Sequence, residues 1–210
     1  MLLDNKGIEI LNQIDSSSPT PGGGSVSALV GALGVCLVRM YGHLTVNKKK
    51  FLAFDESIQK QFTHNFEEIL NQKNDLIQAI DQDCNAYETV MGAYRLPKTT
   101  NEEIQARNKA LKQATYIAIE SPYNIMTLSL DAIRLCVDLV DHGNIHAISD
   151  LACGVIFLDA AIQGAALNVQ INLAMLDENE KNEWSTKMTA ILNESHELKE
   201  KIVNQIKTVL

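Results

Sequence analysis

Two aspartates lie two residues apart in Ile80-Asp81-Gln82-Asp83-Cys84-Asn85-Ala86-Tyr87. In helical register Ile80, Asp83 and Tyr87 step by three and four, so Asp83 falls on the apolar seam while Asp81 can point outward. A carboxylate on a buried seam is costly unless it is paired, protonated or engaged with a ligand. One reading makes Asp83 a general acid or base. The other makes it a structural partner for Arg39, Lys73 or Arg134.

Three further groups carry polar chemistry in an otherwise apolar chain. Pro19-Thr20-Pro21-Gly22-Gly23-Gly24-Ser25 runs straight into the apolar stretch Val26 to Val38. Prolines and glycines so close exclude the interior of a helix or sheet, and Ser25 is a natural N-cap for a helix over the apolar stretch. A turned loop with free amides at a helix start suits an anionic or carbonyl-bearing ligand. Asn168 and Asn172 stand one turn apart in a stripe that also holds Asp150, Gly154, Phe157, Ala161 and Ala165. Close helix packing accounts for the small residues, whereas buried amides need partners, which a ring with nitrogens and carbonyls supplies. Lys48-Lys49-Lys50 is the basic cluster; on charge alone it reads as a solvated helix end.

The remaining candidates point nowhere specific. His142 and His146 are four apart with Gly143-Asn144 between them, which interrupts any helix that would bring them to one metal. Cys36, Cys84, Cys136 and Cys153 have no CxxC spacing and read as buried reduced thiols, so no metal site is expected. No Ser-His-Asp order, HExxH, Rossmann fingerprint or phosphate loop with a following Lys-Ser/Thr occurs.

The elements that must position these groups are helices. Apolar steps of three and four predict a short helix over 3–14, a central one over about 25–46, apolar nearly all round, and one very long helix or two in line over 55–95. Thr99 or Thr100, followed by Glu102 and Glu103, caps a helix over 101–119, which Ser121-Pro122 breaks or kinks. An apolar helix over 123–140 lets Asp131, Arg134 and Asp138 pair along one face. Ser149 or Asp150 caps a helix over 150–176, Asp177 to Trp184 reads as turn-like, and a charged helix closes the chain. Residues 1–210 are therefore expected to form one all-α domain, an antiparallel helical bundle with long buried helices and the 25–46 helix at its centre or at a subunit interface.

Composition sets the outer limits. With 210 residues, 46% hydrophobic and 21% charged, the chain has enough apolar material for a substantial core. A net charge of −8 and 5% aromatics give no footprint for nucleic acid. The run Val26 to Val38 is shorter than the ~20 residues that span a bilayer and Arg39 ends it, so no membrane partner is expected. No secretory signal opens the chain, and the thiols fit a reducing compartment, so the expected location is cytoplasmic.

Six stretches taken in order are similar to one known family. They are the Pro19–Ser25 loop; Leu44-Thr45 with the lysine triplet; Asp83 with Ala86-Tyr87; Arg95-Leu96-Pro97-Lys98 with Glu102; Gly143-Asn144 with Ser149-Asp150-Leu151; and Asn168-Val169 with Ile171-Asn172-Leu173. Together, over about residues 19–173, they resemble the formiminotetrahydrofolate cyclodeaminase / methenyltetrahydrofolate cyclohydrolase family. The resemblance implies an all-helical homodimer, a tetrahydrofolate derivative as substrate rather than a cofactor, and an acidic catalytic residue in Asp81-Gln82-Asp83. Both aspartates fit the motif, and the helical seam selects Asp83. It further implies substrate binding by Pro21, Gly22, Gly23, Gly24 and Ser25, by Asn144, Asp150, Asn168 and Asn172, and by Lys48, Lys49 and Lys50, which would meet the glutamate tail. A 22-residue central helix is ~33 Å long, so loop and lysines meet one ligand more easily across two subunits. The chain departs from the family in showing no formiminotransferase domain and in placing Arg39 on the central helix.

The expected reaction is cyclodeamination: N10 attacks the formimino carbon on N5 and ammonia leaves, with one carboxylate acting as base and then acid. The alternative within the family is the cyclohydrolase, with water as nucleophile. The alternative of another class is a helical folate-binding or scaffold protein without catalysis.

Overall fold

A computed structural model describes residues 5–209, so Leu3 of the first expected helix lies outside the described residues. Among the described residues there is no strand. Seven helices succeed one another: α1 (Asn5–Ile14), α2 (Gly23–His43), α3 (Lys49–Leu52), α4 (Glu56–Arg95), α5 (Asn101–Cys136), α6 (Ile148–Leu173) and α7 (Glu178–Lys207), with two short 3-10 turns between α5 and α6. The all-α expectation holds, and the 56–95 pattern is a single helix of 40 residues, ~60 Å long.

The long helices run up and down. Gly24 meets Asp83 and Gly42 meets Phe66, so α2 and α4 are antiparallel. Asn65 donates to the Leu135 carbonyl while Arg107 donates to the Tyr94 carbonyl, so α4 and α5 are antiparallel too. On its other side α2 packs antiparallel to α6 through small residues. A Cβ on Gly34 would lie 2.8 Å from the Gly154 carbonyl oxygen, and one on Gly164 would lie 2.4 Å from Ser27 Oγ. The small stripe on α6 is thus a close helix contact. The core is built from Val35, Val38, Tyr41, Ile69, Leu76, Ile133, Leu151, Leu158 and Ile162, each fully buried.

Several boundaries differ from the sequence reading. Helix α2 begins at Gly23 with Gly22 as its N-cap and no side-chain cap, so Ser25 is not the cap but the third helical residue. At Gly24 the Asp83 carboxyl leaves no room for a Cβ, and Gly23 stands close against Asn168. Helix α5 does not stop at Pro122 but runs through it. The carbonyl of Ala118, which loses its helical donor to the proline, accepts instead from Asn172 Nδ2 at 2.9 Å. Helix α6 starts at Ile148 with Ala147 as N-cap, so Ser149 and Asp150 lie in its first turn. The polar stretch after Asp177 is the start of α7, where Asp177 and Glu180 form a capping box. Thr100 and Glu103 form another at α5, as the sequence suggests.

Helix α2 is not buried on every side. Leu33, Cys36 and Met40 on α2, and Cys153, Phe157, Leu167 and Ile171 on α6, are exposed. Cys136 alone of the four thiols is fully buried, and Cys84 is partly covered. The apolar flanks of α2 and α6 that carry Cys36 and Cys153 have no covering element within the described chain. Gly23–His43 and Ile145–Leu173 are long and apolar enough to cross a membrane, with mean hydropathy of 1.6 and 1.7, and half of each such window is buried against the rest of the bundle.

Candidate functional site

Asp83 projects from the middle of α4 onto the first turn of α2, and that contact organises the site. Ser25 gives the carboxyl two donors, its hydroxyl to Oδ2 at 2.8 Å and its backbone N–H. Gly24 lies directly against it: an added Cβ would sit 2.3 Å from Oδ1 and 2.5 Å from Oδ2. This is a close approach that only a residue without a side chain permits. Burial pushes the carboxyl above its ordinary value, and the Ser25 hydrogen bonds oppose that rise.

No cation neutralises this carboxyl among the described residues. Arg39 donates to the Phe66 carbonyl at 2.5 Å and stacks over the Phe66 ring. Arg134 pairs with Asp131 and Glu194, while Asp138 accepts from Asn65. Lys73 makes no ion pair with Asp83. The structural-partner reading of Asp83 therefore finds no cation to serve it. Asp81, two residues earlier, is exposed.

The amides of α6 complete the wall. Asn168 lies beside Gly23, where an added Cβ would stand 3.0 Å from Nδ2. Its Nδ2 donates to the Gly164 carbonyl at 2.9 Å. Asn172 Nδ2 is shared between the carbonyls of Ala118 and Asn168. Both residues thus donate to backbone, and the Asn172 bond to Ala118 ties α6 to α5. Pro21, Gly22 and Gly23 remain at the partly open mouth of the turn, and Ser25 is 1% exposed with its hydroxyl on Asp83.

The remaining candidates gather at the opposite end of α2. Lys48 and Lys50 line a cavity of about 320 Å³ with Thr45, Phe51, His142, Gly143, Asn144, Ile145 and His146. Lys49 is exposed and outside this lining. Asn144 closes the wall by donating its N–H to Thr45 Oγ1 and its Nδ2 to the Leu44 carbonyl. Asp150 is partly exposed in the first turn of α6. The 21 residues of α2 hold the two clusters ~30 Å apart within one chain.

Sequence reasoning missed three features. Cys84 Sγ lies 3.2 Å from Ser25 Oγ, beside Asp83. His142 and His146, dismissed as metal ligands, line the lysine cavity, and His142 Nδ1 is buried without a partner. Asp159, buried, accepts from Ser195 at 2.6 Å and from Gln163, and pairs with Lys199. A buried Asp-Ser pair from helices α6 and α7 leaves no spacing signal. Among the described residues no group of three His, Cys, Asp or Glu could hold a metal ion.

This geometry has known relatives. Residues 8–190 match the family described as Formiminotransferase-cyclodeaminase. A methenyltetrahydrofolate cyclohydrolase of Methylorubrum extorquens is 35% identical over 206 residues, 97% of this chain and 97% of that one. The formimidoyltransferase-cyclodeaminase of Gallus gallus is 34% identical over 87% of this chain and 33% of its own length, so this chain spans a third of that relative. The crystal structure of formiminotetrahydrofolate cyclodeaminase from Thermotoga maritima superposes with a TM-score of 0.76 at 25% identity, covering 99% of this chain and 96% of that one. With a match that covers most of the chain and a relative similar along its whole length, this protein belongs to the formiminotransferase-cyclodeaminase family of folate cyclodeaminases and cyclohydrolases.

Proposed function

We propose that the chain acts on the one-carbon unit held between N5 and N10 of tetrahydrofolate, and that its reaction is cyclodeamination of the 5-formimino form to 5,10-methenyltetrahydrofolate and ammonia. The observation that carries this reading is the Asp83 carboxyl, seated on the first turn of α2 without a neutralising cation. N10 attacks the carbon of the protonated formimino group, whose C=N electrons become the lone pair of an amine, and N10 loses its own proton to the carboxylate. The tetrahedral carbon then bears two ring-system nitrogens and an amine. Asp83 returns the proton to that amine, the C–N bond breaks and ammonia leaves. A carboxyl raised above its ordinary value holds the proton the leaving amine needs, and the ionised form then faces the methenyl cation. Pro21, Gly22 and Gly23 offer backbone to the pterin side of the substrate, and no metal or redox cofactor enters these steps.

Hydrolysis of the methenyl compound is the second reading, favoured by the cyclohydrolase relative that matches this chain from end to end. The same carboxyl then takes a proton from water as it adds to the same carbon. Mixing the protein with 5-formimino- or with 5,10-methenyltetrahydrofolate, while methenyl absorbance is followed, separates the two. A rise with the first supports the lyase, and loss of the second without a rise in the first supports the hydrolase. Turnover of neither leaves a non-catalytic folate-binding protein or scaffold.

In this reading the enzyme is a cytoplasmic homodimer. The exposed apolar flanks of α2 and α6, with Leu33, Met40, Phe157, Leu167 and Ile171, are the surface a second copy covers. A partner brought against α2 can set its Lys48, Lys50 and Asn144 cavity beside this chain's glycine turn, so that one folate reaches both. A monomer in sedimentation at micromolar concentration would remove that arrangement.

A further inference from the structure

Ser25 stands between two groups that can each exchange a hydrogen bond with it. Its Oγ is 2.8 Å from Asp83 Oδ2 and 3.2 Å from Cys84 Sγ, and with sulfur either atom can be the donor. The residue is 1% exposed, so its hydroxyl has no solvent to turn to. A hydroxyl both donates and accepts. We propose that Ser25 is a positioning residue for Asp83, its O–H rotating between Asp83 Oδ2 and Cys84 Sγ as the carboxyl loses and gains a proton. The inference rests on the reading of Asp83 as the acid and base of the folate reaction.

The two orientations balance. With Asp83 ionised, Ser25 donates to Oδ2 and the Cys84 thiol donates to Ser25 Oγ. With Asp83 protonated on its other oxygen, Oδ2 is the weaker acceptor and the Ser25 hydrogen turns to Cys84 Sγ, while the carboxyl proton stays free for the amine. No proton changes owner through Ser25, and no heavy atom moves. The carboxyl therefore keeps one place through both halves of the cycle, which is what a group that must take and return a proton requires. Gly24 bears on the same carboxyl, since nothing larger fits against it.

The electrostatic setting is sparse. Helix α2 carries no charged residue before Arg39, and the chain carries none between Asp159 and Asp177 on or just after α6. On α4 the neighbouring titratable groups are Asp81, which is exposed, Cys84, and Tyr87 one turn on. On α5, Glu120 shares a surface pocket with Gln82 and Asn85, on a different flank of α4. The Ser25 donors are thus the local contribution favouring the ionised carboxyl, and removing the hydroxyl favours the acid form.

The test uses the full chain labelled with ¹³C at the Asp side-chain carboxyl. The Asp83 resonance, assigned by its absence in Asp83→Asn, is titrated in wild type, Ser25→Ala, Ser25→Thr and Cys84→Ala. The expected result is an upward move of the Asp83 midpoint in Ser25→Ala, return towards wild type in Ser25→Thr, and a smaller change in Cys84→Ala. In turnover, kcat of Ser25→Ala falls about tenfold or more with KM within a few-fold, and the acid limb of the pH profile moves with the Asp83 midpoint. An unmoved Asp83 midpoint in Ser25→Ala overturns the inference whatever the turnover. If Asp83→Asn keeps wild-type turnover while the midpoint still moves, Ser25 positions Asp83 and the catalytic reading of Asp83 fails instead.

Discussion

Asn172 donates its side-chain amide to the carbonyl of Ala118 at 2.9 Å, across the α5–α6 contact. That carbonyl is the one whose helical donor is missing because residue 122 is proline. The pairing lets a 36-residue helix run through Pro122, and the same nitrogen also bonds the Asn168 carbonyl. Asn172 thus joins the middle of α5 to the wall of the glycine turn.

Removing that amide leaves the Ala118 carbonyl unpaired, at a cost of ~1–3 kcal/mol. Asn172→Ala is therefore expected to lower the melting temperature by several degrees. In a Pro122→Ala background residue 122 regains its N–H, and the cost of Asn172→Ala is expected to fall by ~1 kcal/mol. A double-mutant cycle by denaturant unfolding measures the coupling. Equal costs in both backgrounds would show that the two residues are independent.

Gly24→Ala places a Cβ within 2.3 Å of Asp83 Oδ1, and the carboxyl has to move. Turnover is expected to fall by roughly 10²-fold, since small misplacements of a reacting group carry such costs. Circular dichroism should retain the helical signal. Wild-type rates in Gly24→Ala would mean that the carboxyl position is immaterial to the chemistry.

Asp83 stands out because helical periodicity alone separates an inward from an outward aspartate two residues apart. The start of α2 is misplaced by sequence because its glycines enter the helix to make room for Asp83 and Asn168, both distant along the chain. The run through Pro122 escapes for the same kind of reason: its compensating donor, Asn172, lies 50 residues further on. Small and apolar stripes on α2 and α6 are legible, but a pattern that is apolar all round does not distinguish a core flank from an uncovered one. The thiols Cys36 and Cys153 are misjudged on that account.

The sign of the Asp83 shift gives a stability test. Its folded pKa is raised by burial above the ordinary 3.8. The contribution of Asp83 is then fully present below the unfolded value and is lost as pH rises through the folded one. Asp83→Asn, which does not titrate, is expected to gain stability relative to wild type as pH rises from the ordinary carboxyl value through the raised folded one, and to keep that gain above it. Melting temperatures of the two proteins across that range check it. A difference that is flat with pH, or that runs the other way, would contradict the burial of an ionisable carboxyl at this position.

In the proposed reaction the Asp83 carboxyl moves the proton at the folate carbon. The most direct test of that role is single-turnover formation of 5,10-methenyltetrahydrofolate from the 5-formimino compound by wild type, Asp83→Asn and Asp81→Asn. Asp83→Asn is expected to lose roughly 10²- to 10⁴-fold in the rate, and the exposed Asp81→Asn to react at a rate close to wild type. Near-normal rates in Asp83→Asn, or a loss confined to Asp81→Asn, would contradict that role.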